Sequence, residues 1–261
     1  MRIVGIIPAR RGSKRLAHKN LAPLGGRPLL AHTCAAALQS GALARVLVNT
    51  DSPDIAAVAL QCGVECPALR PARLAQDDTP TRLSNMFLLE MLATGGERFD
   101  AIMVLQPTSP LRTAADIASA AALFERARPC AVVSVSPVAP ASWLGRVDES
   151  GTLARHEGDA TVYRLNGAIY LHEWSDYVND RTAARTVAYV MPAERGVDID
   201  TAADLAAAEG LLRHVQAHTT DDAGAGHPGA RDRASRFSAA RPAASVPLGP
   251  PARQAPAAAP A

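Results

Sequence analysis

Short apolar runs alternate along the chain with longer stretches in which apolar residues recur at helical spacing. The short runs predict β-strands because they last only a few residues and are rich in Val and Ile. Strands that are apolar throughout are typical of a parallel sheet covered by helices on both faces. The pattern predicts strands at 3–9, 45–49, 64–69, 101–105 and 131–135, with helices at 28–39, 53–62, 82–93 and 114–127.

The rhythm changes after residue 136, where short segments are separated by prolines and glycines. An apolar strand at 161–171, a strand at 186–191 and a helix at 202–214 follow. Short segments of this kind favour antiparallel strands, which we expect to add to one edge of the sheet. The predicted fold is therefore α/β and doubly wound, with a mainly parallel, mixed sheet and a small antiparallel insertion at 137–165.

The last part of the chain has a different composition. More than half of residues 215–261 are Ala, Pro or Gly, and large apolar residues are nearly absent. Such a segment buries too little apolar surface to offset the entropy lost on ordering, so we predict that it is disordered. The predicted domain spans residues 1–214.

Charge and composition narrow the class of protein. The net charge of +2 lies in residues 215–261, so the predicted domain is neutral, and only 4% of the residues are aromatic. A nucleic-acid-binding protein usually has a basic face and aromatic side chains for stacking, so we expect no nucleic-acid partner. No long uncharged apolar run and no signal-peptide pattern occur, which predicts a cytoplasmic protein without a membrane partner.

The four cysteines do not form a metal-binding pattern. Cys34, Cys62, Cys66 and Cys130 lack CxxC spacing and a plausible set of histidine partners. We therefore favour reduced thiols in the core over a zinc site or a disulfide framework.

Five cations follow the first predicted strand within the stretch "IVGIIPARRGSKRLAHKN". The carboxyl end of such a strand is where α/β sheets bind ligands, and Gly12 and Ser13 allow backbone N–H groups to approach an anion. A polyphosphate fits this loop, although a solvated basic loop is the alternative. The order "GSK" does not match GxxxxGK[ST], which excludes a P-loop ATPase. The cations are Arg10, Arg11, Lys14, Arg15 and Lys19.

A pair of carboxylates occurs in "GVDIDTAADL" near the end of the predicted domain. Alternation along a strand would point Asp198 and Asp200 to one face and Ile199 to the core. A divalent cation bridging them to phosphate oxygens would relieve their repulsion, and magnesium prefers such oxygen ligands. The alternative is that Asp200 only begins a turn and Thr201 caps the last helix.

Polar residues end a buried strand in "LQPTSPLRT", where Gln106, Thr108 and Ser109 stand beside two prolines. Rigid polar groups at this place suit recognition of a base or a sugar, although an ordinary strand-to-helix turn would look the same. In "YRLNGAIYL", Asn166 and Gly167 interrupt an apolar strand, where glycine usually marks a bulge or a close ligand.

Taken together, these segments resemble the acylneuraminate cytidylyltransferases across residues 1–214. The resemblance rests on seven stretches that follow one another in the order of the family. They are "IIPARRGSKRLAHKNL", "GGRPLLAHT", "VNTDSPDIA", "LRPARLAQDDT", "LQPTSPLRT", "RLNGAIY" and "DIDTAADL".

The resemblance implies a Rossmann-like homodimer in which 137–165 serves dimerisation, with CTP and a nine-carbon keto-acid sugar as substrates and a CMP-sugar and pyrophosphate as products. It implies nucleotide binding by Arg10, Gly12, Ser13, Lys14, Lys19, Asn20, Arg70 and Thr81. It implies sugar binding by Gln106, Arg164, Asn166 and Tyr170. It also implies Mg²⁺ ligation by Asp198 and Asp200, which form the catalytic set together with Arg10 and Lys19.

The chemistry expected of the residues agrees with this resemblance. The sugar's anomeric hydroxyl would attack the α-phosphorus of CTP with pyrophosphate leaving in line, which requires positioning and charge neutralisation and no nucleophilic side chain. The chain departs from the family at Arg15, Leu16 and Ala17, where the family has Gly, an aliphatic residue and Pro. It also lacks the family's Arg-Gln and Pro pattern before residue 163, which leaves Arg155 and Arg164 as candidate partners of a sugar carboxylate.

Two alternatives stay open. The sugar could be a related keto acid such as legionaminic, pseudaminic or 3-deoxy-octulosonic acid, although "QPTSP" and "NGAIY" favour the sialate branch. A protein of another class, a nucleotide-binding relative without turnover, would keep the fold and lose the chemistry.

Overall fold

A computed structural model describes residues 1–147, 149–156 and 158–222, with residues 214–222 as backbone only. Residues Met1–Thr220 form one compact unit. The predicted disorder of residues 215–261 concerns mainly positions outside the described residues. Within them, no helix is both long and apolar enough to span a membrane.

The described residues contain ten strands and six helices. The strands are β1 Ile3–Pro8, β2 Pro23–Leu24, β3 Arg27–Pro28, β4 Arg45–Asn49, β5 Ala101–Val104, β6 Ala131–Pro140, β7 Gly145–Val147, β8 Leu153–Arg155, β9 Thr161–Glu173 and β10 Thr186–Val190. The helices are α1 Leu29–Gln39, α2 Pro53–Gln61, α3 Thr81–Thr94, α4 Ala114–Ala127, α5 Trp174–Val178 and α6 Ala202–Asp222.

Six strands form the main sheet in the order β10-β6-β9-β5-β1-β4. The pairs β1 with β4, β1 with β5 and β6 with β10 are parallel, whereas β9 is antiparallel to both β5 and β6. The predicted mixed, mainly parallel sheet is confirmed. The small antiparallel element is the hairpin of β7 and β8.

The position of β9 differs from the prediction, which placed the antiparallel strands at one edge. Strand β9 lies inside the sheet, between β5 and β6. Its second half explains the difference, because residues Asn166 to Ile169 are fully buried and a buried backbone must pair on both sides.

Two other predicted elements differ from the structure. The predicted strand at 64–69 is reduced to one bridge between Glu65 and Leu47, since Pro67 lacks the N–H group that would continue the ladder. Helix α6 continues past the predicted end at residue 214 to Asp222, because no Gly or Pro interrupts residues 215–222.

Helices cover both faces of the sheet, as the apolar strands predict. Along β1, Ile3 and Ile7 belong to one buried cluster, and Val4 and Ile6 belong to the cluster on the other face. The first cluster includes side chains of α1, α2 and α4, and the second includes side chains of α3 and α5. The four cysteines are free thiols, and no group of three His, Cys, Asp or Glu side chains among the described residues could hold a metal.

A third, smaller cluster, which we call the C-terminal cluster, joins distant parts of the chain. Leu24, Leu29, Ile199 and Ala208 are its buried members, and Leu16 is one of the partly buried side chains packed against them. Leu16 belongs to the basic loop, whereas Ile199 lies between the two predicted metal ligands. The C-terminal cluster therefore holds these two segments against each other by apolar packing.

Candidate active site

A cavity of about 260 Å³ opens where the parallel strands β1 and β5 end. The predicted nucleotide-binding residues that line it are Arg10, Gly12, Ser13, Lys19, Asn20, Arg70 and Thr81. Gln106, which was predicted to contact the sugar, lines it as well. The carboxyl ends of parallel strands are the usual ligand site of α/β sheets, so the position agrees with the prediction.

The basic loop after β1 is anchored at both ends. Ala9 N donates to Asn49 O over 3.0 Å, and Arg11 N donates to Asp51 Oδ1 over 2.9 Å. The side chain of Asn20 is buried and donates to Arg10 O over 2.9 Å. The loop is therefore a defined turn, and the side chain of Asn20 shapes it besides lining the cavity.

Four of the five loop cations pair with only two carboxylates. Asp77 pairs with Arg10 and, over 2.6 Å, with Lys14. Asp200 lies 2.9 Å from Nζ of Lys19 and 2.7 Å from the guanidinium of Arg15. Lys14 and Arg10 hold the pKa of the Asp77 carboxyl below its usual value. Because four cations share two carboxylates, the loop keeps an excess of positive charge for an anionic ligand.

The two predicted metal ligands lie on an irregular segment, not on the strand that we expected. A hydrogen bond from Ile199 N to Thr108 O over 2.7 Å ties this segment to the turn after β5. Ile199 is fully buried, whereas Asp198 and Asp200 are half-buried, so the predicted alternation of side chains is present without a ladder.

Thr201 precedes α6 and caps it, as the alternative interpretation of the Asp200 segment predicts. The carboxylate of Asp204 accepts hydrogen bonds from Thr201 N and Thr201 Oγ1, each over 2.8 Å. Thr201 Oγ1 in turn accepts from Asp204 N over 3.2 Å, which completes a capping box. Since this box satisfies the start of the helix, the Asp200 carboxylate is left to Lys19 and Arg15.

One carboxylate oxygen of this pair is available to a divalent cation. Asp198 Oδ1 is buried and has no hydrogen-bond partner among the described residues. An unpartnered buried carboxylate oxygen costs free energy that a cation would recover. Asp198 therefore has an oxygen that fits a magnesium ion, whereas the Asp200 carboxylate is shared by Lys19 and Arg15.

Tyr170 stands close to this carboxylate pair. Burial raises the pKa of the Tyr170 hydroxyl, and the nearby charge of Asp198 raises it further. Its hydroxyl therefore stays protonated near Asp198.

Arg70 brings a buried cation to the lining of the cavity. Its guanidinium contacts Asp51 Oδ1 over 3.4 Å, while its Nε is buried without a partner among the described residues. Burial lowers the pKa of Arg70, although Asp51 partly restores it. An arginine with an unused donor beside a cavity can hydrogen-bond an oxygen-rich ligand such as a ribose or a base carbonyl.

Asn166 is more deeply buried than a ligand contact requires. Its Oδ1 accepts from Ser134 Oγ over 2.5 Å and from Ala168 N over 3.1 Å, and its Nδ2 donates to Ser136 Oγ over 2.9 Å. The amide group thus has protein partners for both of its polar atoms. Its contact with a sugar stays a prediction.

Gly196 packs directly on this buried network. A Cβ atom there would lie 2.0 Å from Ser136 Oγ and 3.0 Å from Asn166 Nδ2, so only glycine fits. Arg164, another predicted sugar ligand, donates to Gly196 O over 2.9 Å. Arg164 therefore holds the backbone two residues before Asp198, and the network around Asn166 leaves no room there for a side chain.

Gln106 reaches the cavity through a close approach of two strands. Gly167 has a φ of +77°, and a Cβ there would lie 3.0 Å from Gln106 Oε1. Buried Arg112 donates to Ala168 O over 2.7 Å and to Gln106 O over 3.3 Å, which fixes the turn after β5. The glycine in "RLNGAIY" thus marks a packing requirement against Gln106.

Some predicted residues do not line the 260 Å³ cavity but lie in its surroundings. Lys14 is linked to it through Asp77, and Asp200 is linked to it through Lys19. The other predicted residues outside its lining are Arg164, Asn166, Tyr170 and Asp198.

Sequence reasoning assigned no role to several residues that the structure brings to the site. Asp77, Gln76, Thr79 and Ser84 line the cavity, and Asp51 contacts both the loop and Arg70. The position of Asp51, two residues after the end of a buried strand, was a usable signal, because ligand-binding residues occupy such positions. The role of Asp77 depends on how two loops meet, which no local pattern encodes.

The sequence of this chain matches a protein-family model and is similar to several known proteins. The model of the family described as Cytidylyltransferase matches residues 4–196. The CMP-N,N'-diacetyllegionaminic acid synthase of Legionella pneumophila is 36% identical over 225 residues, covering 81% of this chain and 97% of that protein. The N-acylneuraminate cytidylyltransferase of Escherichia coli is 32% identical over 215 residues, covering 78% of this chain. This chain spans about half (50%) of the length of the Escherichia coli protein.

Solved structures share the fold at low sequence identity. A CMP:2-keto-3-deoxy-manno-octonic acid synthetase complexed with CTP has a TM-score of 0.62 at 18% identity, covering 82% of this chain and all (100%) of that chain. The 4-diphosphocytidyl-2C-methyl-D-erythritol synthase of Anaerococcus prevotii has a TM-score of 0.59 at 14% identity, covering 81% and 98%. These structures support the architecture described above.

Proposed function

The chain belongs to the cytidylyltransferase family, and on that basis we propose that it transfers CMP from CTP to the anomeric hydroxyl of a nine-carbon keto-acid sugar. The observation that carries this proposal is the contact of Lys19, which lines the cavity, with Asp200 of the carboxylate pair. A site that offers cations and carboxylates together is suited to a metal-bound triphosphate.

The reaction needs one bond to form and one to break. The anomeric oxygen attacks the α-phosphorus, the bond from that phosphorus to the bridging oxygen breaks, and pyrophosphate leaves while the hydroxyl proton passes to solvent. Arg10 and Lys19 would bind the phosphate oxygens and neutralise the charge that grows on the leaving group. The anchored backbone of the loop would keep these cations in place during transfer.

We propose that Asp198 and Asp200 hold a magnesium ion together with the nucleotide. When bound, magnesium neutralises phosphate charge and orients the triphosphate. The unpartnered Oδ1 of Asp198 supports this role. Asp200 would serve it only after its ion pair with Arg15 loosens, because Arg15 and Lys19 already occupy its carboxylate.

For the sugar, we propose a sialic-acid-type substrate, with legionaminic acid ranked before N-acetylneuraminic acid. The relative named for diacetyllegionaminic acid is 36% identical and matched over 97% of its length, whereas the one named for N-acylneuraminate is 32% identical and matched over 50%. A pseudaminic acid cytidylyltransferase of Campylobacter jejuni is 26% identical, which ranks that sugar lower.

We also propose that the insertion at 137–165 pairs with a second copy of the chain. Large apolar side chains are exposed along it, and Trp143 is the most exposed of them at 79%. Exposed apolar residues gathered in one segment of the chain are typical of an interface. They are Val138, Trp143, Val147, Leu153, Tyr163 and Leu165.

Light scattering measures whether this interface forms, and we expect it to report the mass of a dimer. The variant Trp143→Lys should shift the equilibrium from dimer towards monomer.

The substrate can be identified in one competition experiment. The protein is incubated with CTP, Mg²⁺ and an equimolar mixture of diacetyllegionaminic, N-acetylneuraminic, pseudaminic and 3-deoxy-octulosonic acids, and the CMP-sugars are resolved by mass spectrometry. We expect CMP-legionaminic acid first and CMP-N-acetylneuraminic acid second. If CMP-3-deoxy-octulosonic acid were the only product, the sugar assignment would be contradicted. If the protein bound CTP but formed none of the CMP-sugars, the enzyme assignment would be contradicted.

A further inference from the structure

Asp77 lies at the mouth of the cavity and contacts two loop cations. It follows the 3₁₀ turn Ala72–Leu74 and precedes helix α3. Its carboxylate pairs with Arg10 and, over 2.6 Å, with Lys14, and it lines the cavity itself. The cations that would receive a phosphate group therefore already share a carboxylate.

The segment that carries Asp77 is attached to the basic loop only by this carboxylate, as far as the described residues show. The hydrogen bonds of its backbone are local, such as Ala75 N to Ala72 O over 3.0 Å and Thr79 N to Gln76 O over 3.3 Å. The Asp77 side chain is 46% exposed, so its carboxylate can turn into water at little cost in buried surface. Its ion pairs are the kind that is easily broken by a competing anion.

We propose that Asp77 is a displaceable counter-ion that sets the affinity of the site for polyphosphate. Its carboxylate and the phosphate groups of a nucleotide compete for Arg10 and Lys14. A triphosphate displaces it because several negative charges outweigh one, whereas a ligand with less charge competes poorly. Asp77 thereby weakens the binding of each phosphate ligand that must displace it from Arg10 and Lys14.

This inference rests on the proposed function only in placing phosphate at Arg10 and Lys14. A positioning role is the rival explanation, in which Asp77 keeps the two cations aimed at the phosphate and remains paired with them. The two explanations predict opposite signs. Removing the charge of Asp77 tightens phosphate binding if the residue competes with phosphate and weakens it if the residue positions the cations.

The test uses Asp77→Asn in the full-length protein, with Asp78→Asn as the matched control. Asp78 is exposed, carries the same charge and has no ion pair in the part of the chain that the structure describes. Binding of inorganic tripolyphosphate, CTP, CMP and cytidine is measured by calorimetry at low and at moderate salt. Tripolyphosphate probes the loop without a base or a sugar, so its result is independent of the proposed function.

We expect Asp77→Asn to bind tripolyphosphate and CTP about threefold to tenfold more tightly, since two exposed ion pairs no longer compete. The affinity for cytidine, which carries no phosphate to compete with Asp77, should not change. Asp78→Asn should match the natural protein. Weaker tripolyphosphate binding by Asp77→Asn, or equal gains in both variants, would overturn the proposal. Tighter tripolyphosphate binding without any CTP binding would uphold it and contradict the proposed function instead.

Discussion

The guanidinium of Arg15 lies 2.7 Å from the carboxylate of Asp200, which also contacts Lys19. Arg15 is the residue at which the basic loop departs from the acylneuraminate pattern. Asp200 is one of the two residues to which we assign the metal. Arg15 and the metal would therefore share the Asp200 carboxylate. Arg15 therefore has a defined place in the site as a competitor for Asp200.

Removing this competitor should strengthen metal binding. In Arg15→Gln, Asp200 keeps its contact with Lys19 but loses its exposed ion pair with residue 15. We expect Mn²⁺ to bind roughly twofold to fivefold more tightly to this variant, because an exposed ion pair contributes only a fraction of a kcal/mol. Titration of free Mn²⁺ by electron paramagnetic resonance measures this without nucleotide or turnover. Arg11→Gln removes a cation of the same loop and serves as the control. Equal affinities in Arg15→Gln and the control would contradict the competition.

The Asp198 carboxylate should be indispensable for turnover and dispensable for folding. Asp198→Ala removes the unpartnered buried oxygen, so we expect a loss of roughly a hundredfold or more in kcat, since a metal site contributes several kcal/mol of charge stabilisation. Thermal unfolding should change little. Glu90→Ala, on the exposed side of α3, is the control. Natural turnover in Asp198→Ala would remove the metal assignment.

Glycine 196 should tolerate no side chain. In Gly196→Ala, the new Cβ would overlap Ser136 Oγ, so the backbone before Asp198 must move. We therefore expect the free energy of unfolding to fall by about 1–3 kcal/mol. Gly210→Ala is the opposite case, because its Cβ would meet nothing within 4 Å inside α6. That variant should gain about 0.5–1 kcal/mol. Denaturant unfolding compares them, and equal effects would contradict the packing argument.

A buried ion pair should make the stability depend on pH in acid. Asp116 is buried and accepts hydrogen bonds from Arg195, from Tyr189 and from Thr113. Burial alone would raise the pKa of the Asp116 carboxyl, but Arg195 and the other donors lower it overall. Because the pKa is lower in the folded state, the ionised Asp116 carboxyl contributes its full stabilisation at pH values above its pKa in the unfolded chain, which is near 3.8. The contribution is lost as the pH falls through the pKa of the folded state.

The variant Asp116→Asn tests this dependence. We expect it to lose about 1–3 kcal/mol of unfolding free energy at pH 7, because the buried position loses its hydrogen bonds to the charged Arg195. The difference from the natural protein should shrink as the pH drops below about 4. Thermal melts from pH 3 to pH 7 measure the gap. A gap that stays constant down to pH 3 would show that the charge of Asp116 contributes nothing.

Elements with local signals were predictable from the sequence. Helix α4 has the predicted bounds Ala114–Ala127 because Thr113 and Asp116 form a capping box at its start. The place of β9 inside the sheet was not predictable, since strand order depends on contacts between distant segments. The ion pairs of Asp77 with Arg10 and of Arg15 with Asp200 were not predictable either, because each pair joins segments that are distant in the sequence.

The central claim concerns the reaction, and pyrophosphate release tests it most directly. The protein is incubated with CTP and Mg²⁺, with and without diacetyllegionaminic or N-acetylneuraminic acid, and released pyrophosphate is measured continuously. We predict release that requires both CTP and a sugar, that yields one CMP-sugar per pyrophosphate, and that falls sharply in Lys19→Ala. Binding of CTP without release for any nine-carbon keto-acid sugar would contradict the account.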